Sequence, residues 1–150
     1  MKYLLDTCVI SELIKNKPNK NVVKWIQKND EQGYFISTLT FGEIYKGIEK
    51  VTDKSRKDTL HQWVEHELKE RFKNRTISID MNIARTWGQI QGNAEREGKP
   101  MPAIDSLIAA TGLVYNLIVV TRNISDMKQS NVVLINPWDM EQASKSGTRD

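Results

Sequence analysis

Four carboxylates and one amide stand out by where they fall in this 150-residue chain. Asp6 follows the apolar run Tyr3-Leu4-Leu5, and Glu43 comes shortly after Tyr34-Phe35-Ile36-Ser37. Asp105 lies in the segment leading into Leu117-Ile118-Val119-Val120. Asp126 follows that run, with Asn123 three residues before it. If the runs are parallel strands of one sheet, these residues gather at its carboxyl edge, where open α/β sheets bind ligands. Clustered carboxylates repel and take up protons unless a cation sits among them. Hard oxygen donors without imidazole or thiolate select Mg²⁺ or Mn²⁺ over zinc or copper. His61 and His66 are five residues apart, share no helical face and read as solvated surface. Cys8 has no basic neighbour to activate it and reads as packing.

Each acid also has a purely structural use. Thr40-Phe41-Gly42-Glu43 has the form of a capping box. Asp105 suits a helix N-terminus, Asp6 could cap the short helix after it, and Asp126 is an ordinary loop acid. Gly47 after Glu43, and Ala109 and Gly112 after Asp105, weigh toward a site. Glycine costs a helix about 1 kcal/mol against alanine and is useful where a backbone or ligand comes close.

The elements that must position these residues alternate in type. Strands are expected at 2–5, 34–37, 76–79, 117–120 and 132–135, each short and apolar. Helical spacing recurs between them. Val22, Val23 and Ile26 form one inward stripe, and Phe41, Ile44, Ile48 and Val51 another. Leu60, Trp63, Val64, Leu68 and Phe72 predict one long helix over 55–73. Asp80 caps the helix carrying Ile83, Trp87, Ile90 and Ala94. Pro102 opens the one carrying Ile104, Leu107, Ile108 and Thr111, and 121–130 reads as loop. Strands apolar on both faces and separated by helices predict an α/β fold, a parallel sheet covered on both sides.

Composition bounds the rest. At this length one domain with a real core is expected. A single cysteine excludes an intrachain disulfide framework, and no apolar run is long enough to span a membrane or resemble a leader. A cytoplasmic protein is the resulting expectation. Net charge is +3, which permits a polyanionic partner without requiring one.

The pieces Leu-Leu-Asp6-Thr7-Cys8-Val-Ile-Ser11-Glu12, Ser-Thr-Leu-Thr40-Phe-Gly-Glu43-Ile-Tyr-Lys-Gly47, Pro-Ala-Ile-Asp105-Ser106-Leu-Ile-Ala-Ala and Val-Val-Thr121-Arg122-Asn123-Ile-Ser-Asp126 occur in this order. Together they resemble the PIN-domain ribonucleases, and within them the VapC-type toxins of toxin–antitoxin pairs, nearest the FitB-like branch. Asn136-Pro137-Trp138 also resembles that branch. The resemblance implies a Rossmann-like three-layer PIN domain over residues 1–138, with roughly five parallel strands, then a polar tail at 139–150. It implies Mg²⁺ or Mn²⁺ at Asp6, Asp105 and Glu43, with Asp126 or Asn123 completing the shell. Thr7 and Thr121 resemble the hydroxyls that orient those carboxylates.

The reaction so implied is hydrolysis of RNA phosphodiester bonds by water, leaving 5′-phosphate and 3′-hydroxyl ends, with Glu43 or Asp126 accepting a proton. Arg122, Lys46, Arg85, Arg96 and Lys99 are candidates for the RNA backbone. The loop of a structured RNA such as a tRNA or rRNA is a suitable target. A cognate antitoxin and a homodimer are implied partners. A groove between 40–50 and 55–73, lined by Trp63 and Phe72, would suit an antitoxin segment. Two departures bear on the site. Cys8 stands where many relatives have Asn, which predicts a lost supporting hydrogen bond, and Asn123 stands where some have an acid. They leave a non-catalytic PIN-fold module that binds RNA or protein as the alternative. A haloacid-dehalogenase-like phosphatase is disfavoured because Asp6-Thr7-Cys8 lacks its second aspartate. A receiver is disfavoured because no acidic pair stands near the first strand's end.

Overall fold

Adjacent residues of the first strand face opposite cores. In β1 (Tyr3–Leu5), Leu4 packs with Ile108, Val119 and Met127, whereas Tyr3 and Leu5 pack with Val9, Ile36 and Val64. The two-residue period of a strand produces this split, and an apolar residue at every position requires cover on both sides. The computed structural model describes residues 1–139. Beyond Asp139 the expected polar tail lies outside the described residues.

After β1 come α1 (Thr7–Leu13), α2 (Lys20–Lys28), β2 (Tyr34–Ser37), α3 (Thr38–Glu49), α4 (Lys54–Trp63), α5 (Lys69–Arg71) and β3 (Thr76–Ile77). Then follow α6 (Met81–Arg96), α7 (Ala103–Tyr115), β4 (Ile118–Val120), α8 (Ile124–Met127) and β5 (Leu134–Ile135). The sheet has the order β3-β2-β1-β4-β5 with every pairing parallel. It is therefore the three-layer α/β sheet that the strand–helix alternation predicts. Aromatic side chains Tyr3, Trp25 and Tyr34 cluster within one core, Tyr3 edge-on to Trp25. The chain builds outward from β1 to β2 and β3, then returns to the other side of β1 for β4 and β5. The reversal creates a switch point between the carboxyl ends of β1 and β4.

Several expectations change in detail. The long helix of 55–73 is interrupted by a wider π turn at Val64–Leu68, which keeps Val64, Leu68 and Phe72 in the core. Loop 121–130 contains α8, so Asp126 stands in a first helical turn. α3 begins at Thr38 with Ser37 as its cap, the Ser37 hydroxyl accepting from Leu39 N–H at 3.0 Å. Thr40 and Glu43 are thus past the helix start, and the capping-box explanation of Glu43 falls away. Among the described residues no helix is long and apolar enough to cross a membrane.

Candidate active site

The switch point is closed by Asp6. Its backbone N–H donates to Val120 O at 3.0 Å, joining the two strand ends directly. Its carboxylate is then held from both sides. Oδ1 accepts from the Thr7 N–H at 2.9 Å, and Oδ2 accepts from the Thr121 hydroxyl at 2.8 Å. Thr121 is fully buried at the end of β4, and its oxygen accepts in turn from Asn123 N–H at 2.9 Å. Thr7 reaches the other way, donating from its hydroxyl to Glu43 Oε1 at 2.5 Å, beside the buried hydroxyl of Thr40 at 3.3 Å. Two threonines thereby link a strand end, a helix start and the second turn of α3 into one edge.

The Cys8 position keeps a weak contact where a lost one was expected. Its thiol lies 3.8 Å from Asp6 Oδ2 as donor, and its sulfur accepts from Arg122 N–H at 3.4 Å. Burial, and then the charge of Asp6, push the thiol up to about 11. It stays protonated at neutral pH, able to donate and unfit as a nucleophile.

A protein-family model described as the PIN domain matches residues 3–129. The chain belongs to the PIN-domain family. It is 33% identical over 135 residues to Toxin FitB of Neisseria gonorrhoeae, spanning 90% of this chain and 97% of that one. It is 29% identical to the VapC ribonuclease Y4jK of Sinorhizobium fredii, over 91% and 97% of the two chains. The crystal structure of FitAcB from Neisseria gonorrhoeae superposes with a TM-score of 0.86 at 32% identity, covering 91% of this chain and 98% of that one.

In this PIN domain the remaining acids complete a shared field. Burial first, then the charges of Asp6, Asp126 and Glu43, push the Asp105 carboxyl up to about 6. Burial likewise raises the Asp6 carboxyl, against the lowering effect of Thr121 and Thr7. The donor chemistry fits a hard divalent cation, with carboxylate oxygens close enough to perturb one another and no imidazole among them. Among the described residues, however, no three Asp, Glu, His or Cys side chains meet as a closed cage. The acids share a field without yet sharing one point.

The basic candidates divide by location. Lys99 lines a cavity of about 550 Å³ together with Asp126 and Lys128. The Arg122 guanidinium lies 5.2 Å from the Trp138 ring centroid, and its backbone reaches Cys8. Arg85 and Arg96 donate back to Asn82 and Asn93 of their own helix. Lys46 is exposed on α3. The structure therefore does not gather these cations as one patch.

Packing changes two further sequence arguments. A side chain at Gly112 would meet Val119 Cγ2 at 2.7 Å and Val132 Cγ2 at 2.9 Å, so this glycine serves the contact of α7 with the sheet. Nothing lies within 4 Å of where one would project at Gly47. Packing thus accounts for Gly112, whereas Gly47 faces open space. The apolar groove also moves. Ile10 and Leu13 of α1, with Ile14 just after it, face Trp63 and Leu68 across a cavity of about 170 Å³, and Phe72 is wholly buried.

Sequence reasoning missed the supports of Asp105. Gln91 grips the backbone of Met101 twice, accepting from its N–H at 2.9 Å and donating to its O at 2.6 Å. Trp87 Nε1 donates to the buried Ser106 hydroxyl at 2.8 Å. These bonds fasten α6 to the start of α7. Their partners are about 10 and 19 positions away, as Gln91–Met101 and Trp87–Ser106, and no local pattern announces such pairing.

Proposed function

We propose that this PIN domain is a toxin-type endoribonuclease that depends on a divalent cation, Mg²⁺ or Mn²⁺, and is silenced by a cognate antitoxin protein. What supports the reading is that Asp105, half-buried at the start of α7, lies near enough to Asp6, Asp126 and Glu43 for their charges, after burial, to raise its carboxyl. Similarity to the FitB toxin and to a VapC ribonuclease supports the toxin and ribonuclease parts. The FitAcB structure supports an assembly with a second protein.

Asp6, Asp105 and Glu43 would hold the cation, with Asp126 or Asn123 as the further ligand. When bound, the cation compensates charge on the phosphate and acidifies water for attack on phosphorus. The chain's own residues do the rest. The Thr121 hydroxyl and the Thr7 N–H hold one oxygen each of Asp6 and so fix its orientation. Glu43 engages Thr7 through Oε1, leaving Oε2 without a hydrogen-bond partner among the described residues and suited to accept the water's proton. Arg122, whose backbone N–H bonds to Cys8 beside Asp6, would be the nearest guanidinium in sequence to the acids for a phosphate to recruit.

The test is cleavage of a mixed small-RNA pool with Mg²⁺ or Mn²⁺, with and without chelator. Wild type should cut, and chelator, Asp6→Asn and Asp105→Asn should each stop it. Cutting that ignores chelator or survives both substitutions refutes the reading. The open arrangement of the acids favours one alternative, a non-catalytic module binding RNA or protein. Wild-type protein that binds RNA but cuts none with either metal establishes that alternative.

A further inference from the structure

A cavity of about 550 Å³ is lined by Asp126, and its other side is the segment that leads to Asp105. One wall is the segment 99–102 leading into α7, whose first turn bears Asp105. The other is the stretch from α8 through Asn131, which bears Asp126. Both walls are fixed by side chains outside the acid cluster. Gln91 clamps Met101 on the first. On the second, the buried Ser130 hydroxyl donates to Met127 O at 2.6 Å and accepts from Val132 N–H at 3.2 Å. Gly98, at φ 73, turns the chain out of α6 and sets Lys99 at the rim. The cavity is thus held in shape before any ligand arrives.

Its lining is mixed in a particular way. Lys99 and Lys128 have no salt bridge among the described residues, although Asp126 lines the same space. Gln129 and Asn131 contribute side-chain amides, each carrying both a donor and an acceptor. Pro100 and Pro102 contribute apolar surface and no aromatic ring takes part. A volume of about 550 Å³ falls within the range of small-ligand sites. Cations for phosphate, amides for a base edge and flat apolar surface for a base face together match one nucleotide.

We infer that this cavity is a nucleotide subsite, holding one splayed-out base of the RNA strand beside the bond to be cut, with Lys99 and Lys128 on the flanking phosphates and Gln129 reading the base edge. The inference rests on the ribonuclease reading for its substrate, and its binding arm stands apart from cleavage. Selectivity here comes from hydrogen bonds, since the lining offers no ring for sequence-tolerant stacking.

The test uses the full chain and a fluorescein-labelled single-stranded RNA with a random core, first in chelator by anisotropy. Lys99→Ala/Lys128→Ala should weaken binding about tenfold and flatten the logarithmic salt slope by about 1.4, two contacts at roughly 0.7 each. A Lys24→Ala/Lys28→Ala pair on α2, outside the lining, removes the same charge and serves as control. All four lysines are exposed, and melting curves check that both pairs fold. With metal added, sequencing of cut ends should show a base preference at one flanking position in wild type that Gln129→Ala levels. A cavity pair that binds no more weakly than the control pair overturns the subsite. So does a base profile unchanged by Gln129→Ala. RNA binding that falls with Lys99 and Lys128 in a protein that never cuts would sink the ribonuclease reading and keep the subsite.

Discussion

The two halves of the acidic edge are built differently. Asp6 and Glu43 are tied down, each accepting a threonine hydroxyl, with Asp6 also capping its own helix. Asp105 and Asp126 accept no side-chain hydrogen bond among the described residues, and their placement comes from the helices that carry them. The difference teaches where charge strain resides. On the tied half, hydroxyls and an N–H offset part of the cost of burial. On the untied half nothing does, and the Asp105 carboxyl rises to about 6. The tied pair has a fixed orientation; in the untied pair the burial of Asp105 is left uncompensated.

The largest expected effect breaks the charge itself. Asp6→Asn or Asp105→Asn should lower RNA cleavage by on the order of 10³-fold, the loss of several kcal/mol of charge stabilisation. Single-turnover rates at saturating Mn²⁺ check this. Next comes the tether. Thr121→Val keeps the shape at β4 but removes the donor to Asp6, and should cost about 10–100-fold in metal affinity or activity. Thr121→Ser should restore most of it. A variant as active as wild type would show that the tied half needs no tie.

The untied half has a signature in stability. Its folded value near 6 lies above the ordinary 3.8. Asp105 therefore contributes stability that is full below about 3.8 and lost as pH rises through about 6. In chelator, Asp105→Asn should be more stable than wild type at pH 7, by about 1 kcal/mol after solvent screening. The two should converge on acidification toward pH 4, as urea titrations would reveal. A difference that grows on acidification contradicts the assigned strain. The smallest effect is at Cys8. Losing its weak S–H contact in Cys8→Ala should cost about two- to fivefold in activity, while Cys8→Ser, a stronger donor, should not fall below wild type.

Much of this architecture was legible from residue order. The alternation of apolar runs with helical stripes gives the parallel sheet, and Asp6, directly after the first run, stands at its switch point. Other readings failed where a local pattern had two meanings. Thr40 and Glu43 match a capping box, yet Ser37 caps α3 and leaves Glu43 to Thr7. Gly112 suggested a ligand and instead makes room for Val119 and Val132. The unbroken stripe from Leu60 to Phe72 concealed a π turn, because a helix widened by one residue can still bury the same side.

By itself the sequence determined which chemistry is available: carboxylates, two threonines and no competing imidazole, on the elements that flank the strands. That follows from periodicity, a property of neighbours in the chain. Only the tertiary structure decided which hydroxyl reaches which acid, that Gln91 clamps Met101, and that Lys99 and Lys128 share a cavity with Asp126. Such pairings join residues far apart in the chain. They are fixed by the order β3-β2-β1-β4-β5 and by how helices seat on that sheet, and no short stretch of sequence encodes that distance.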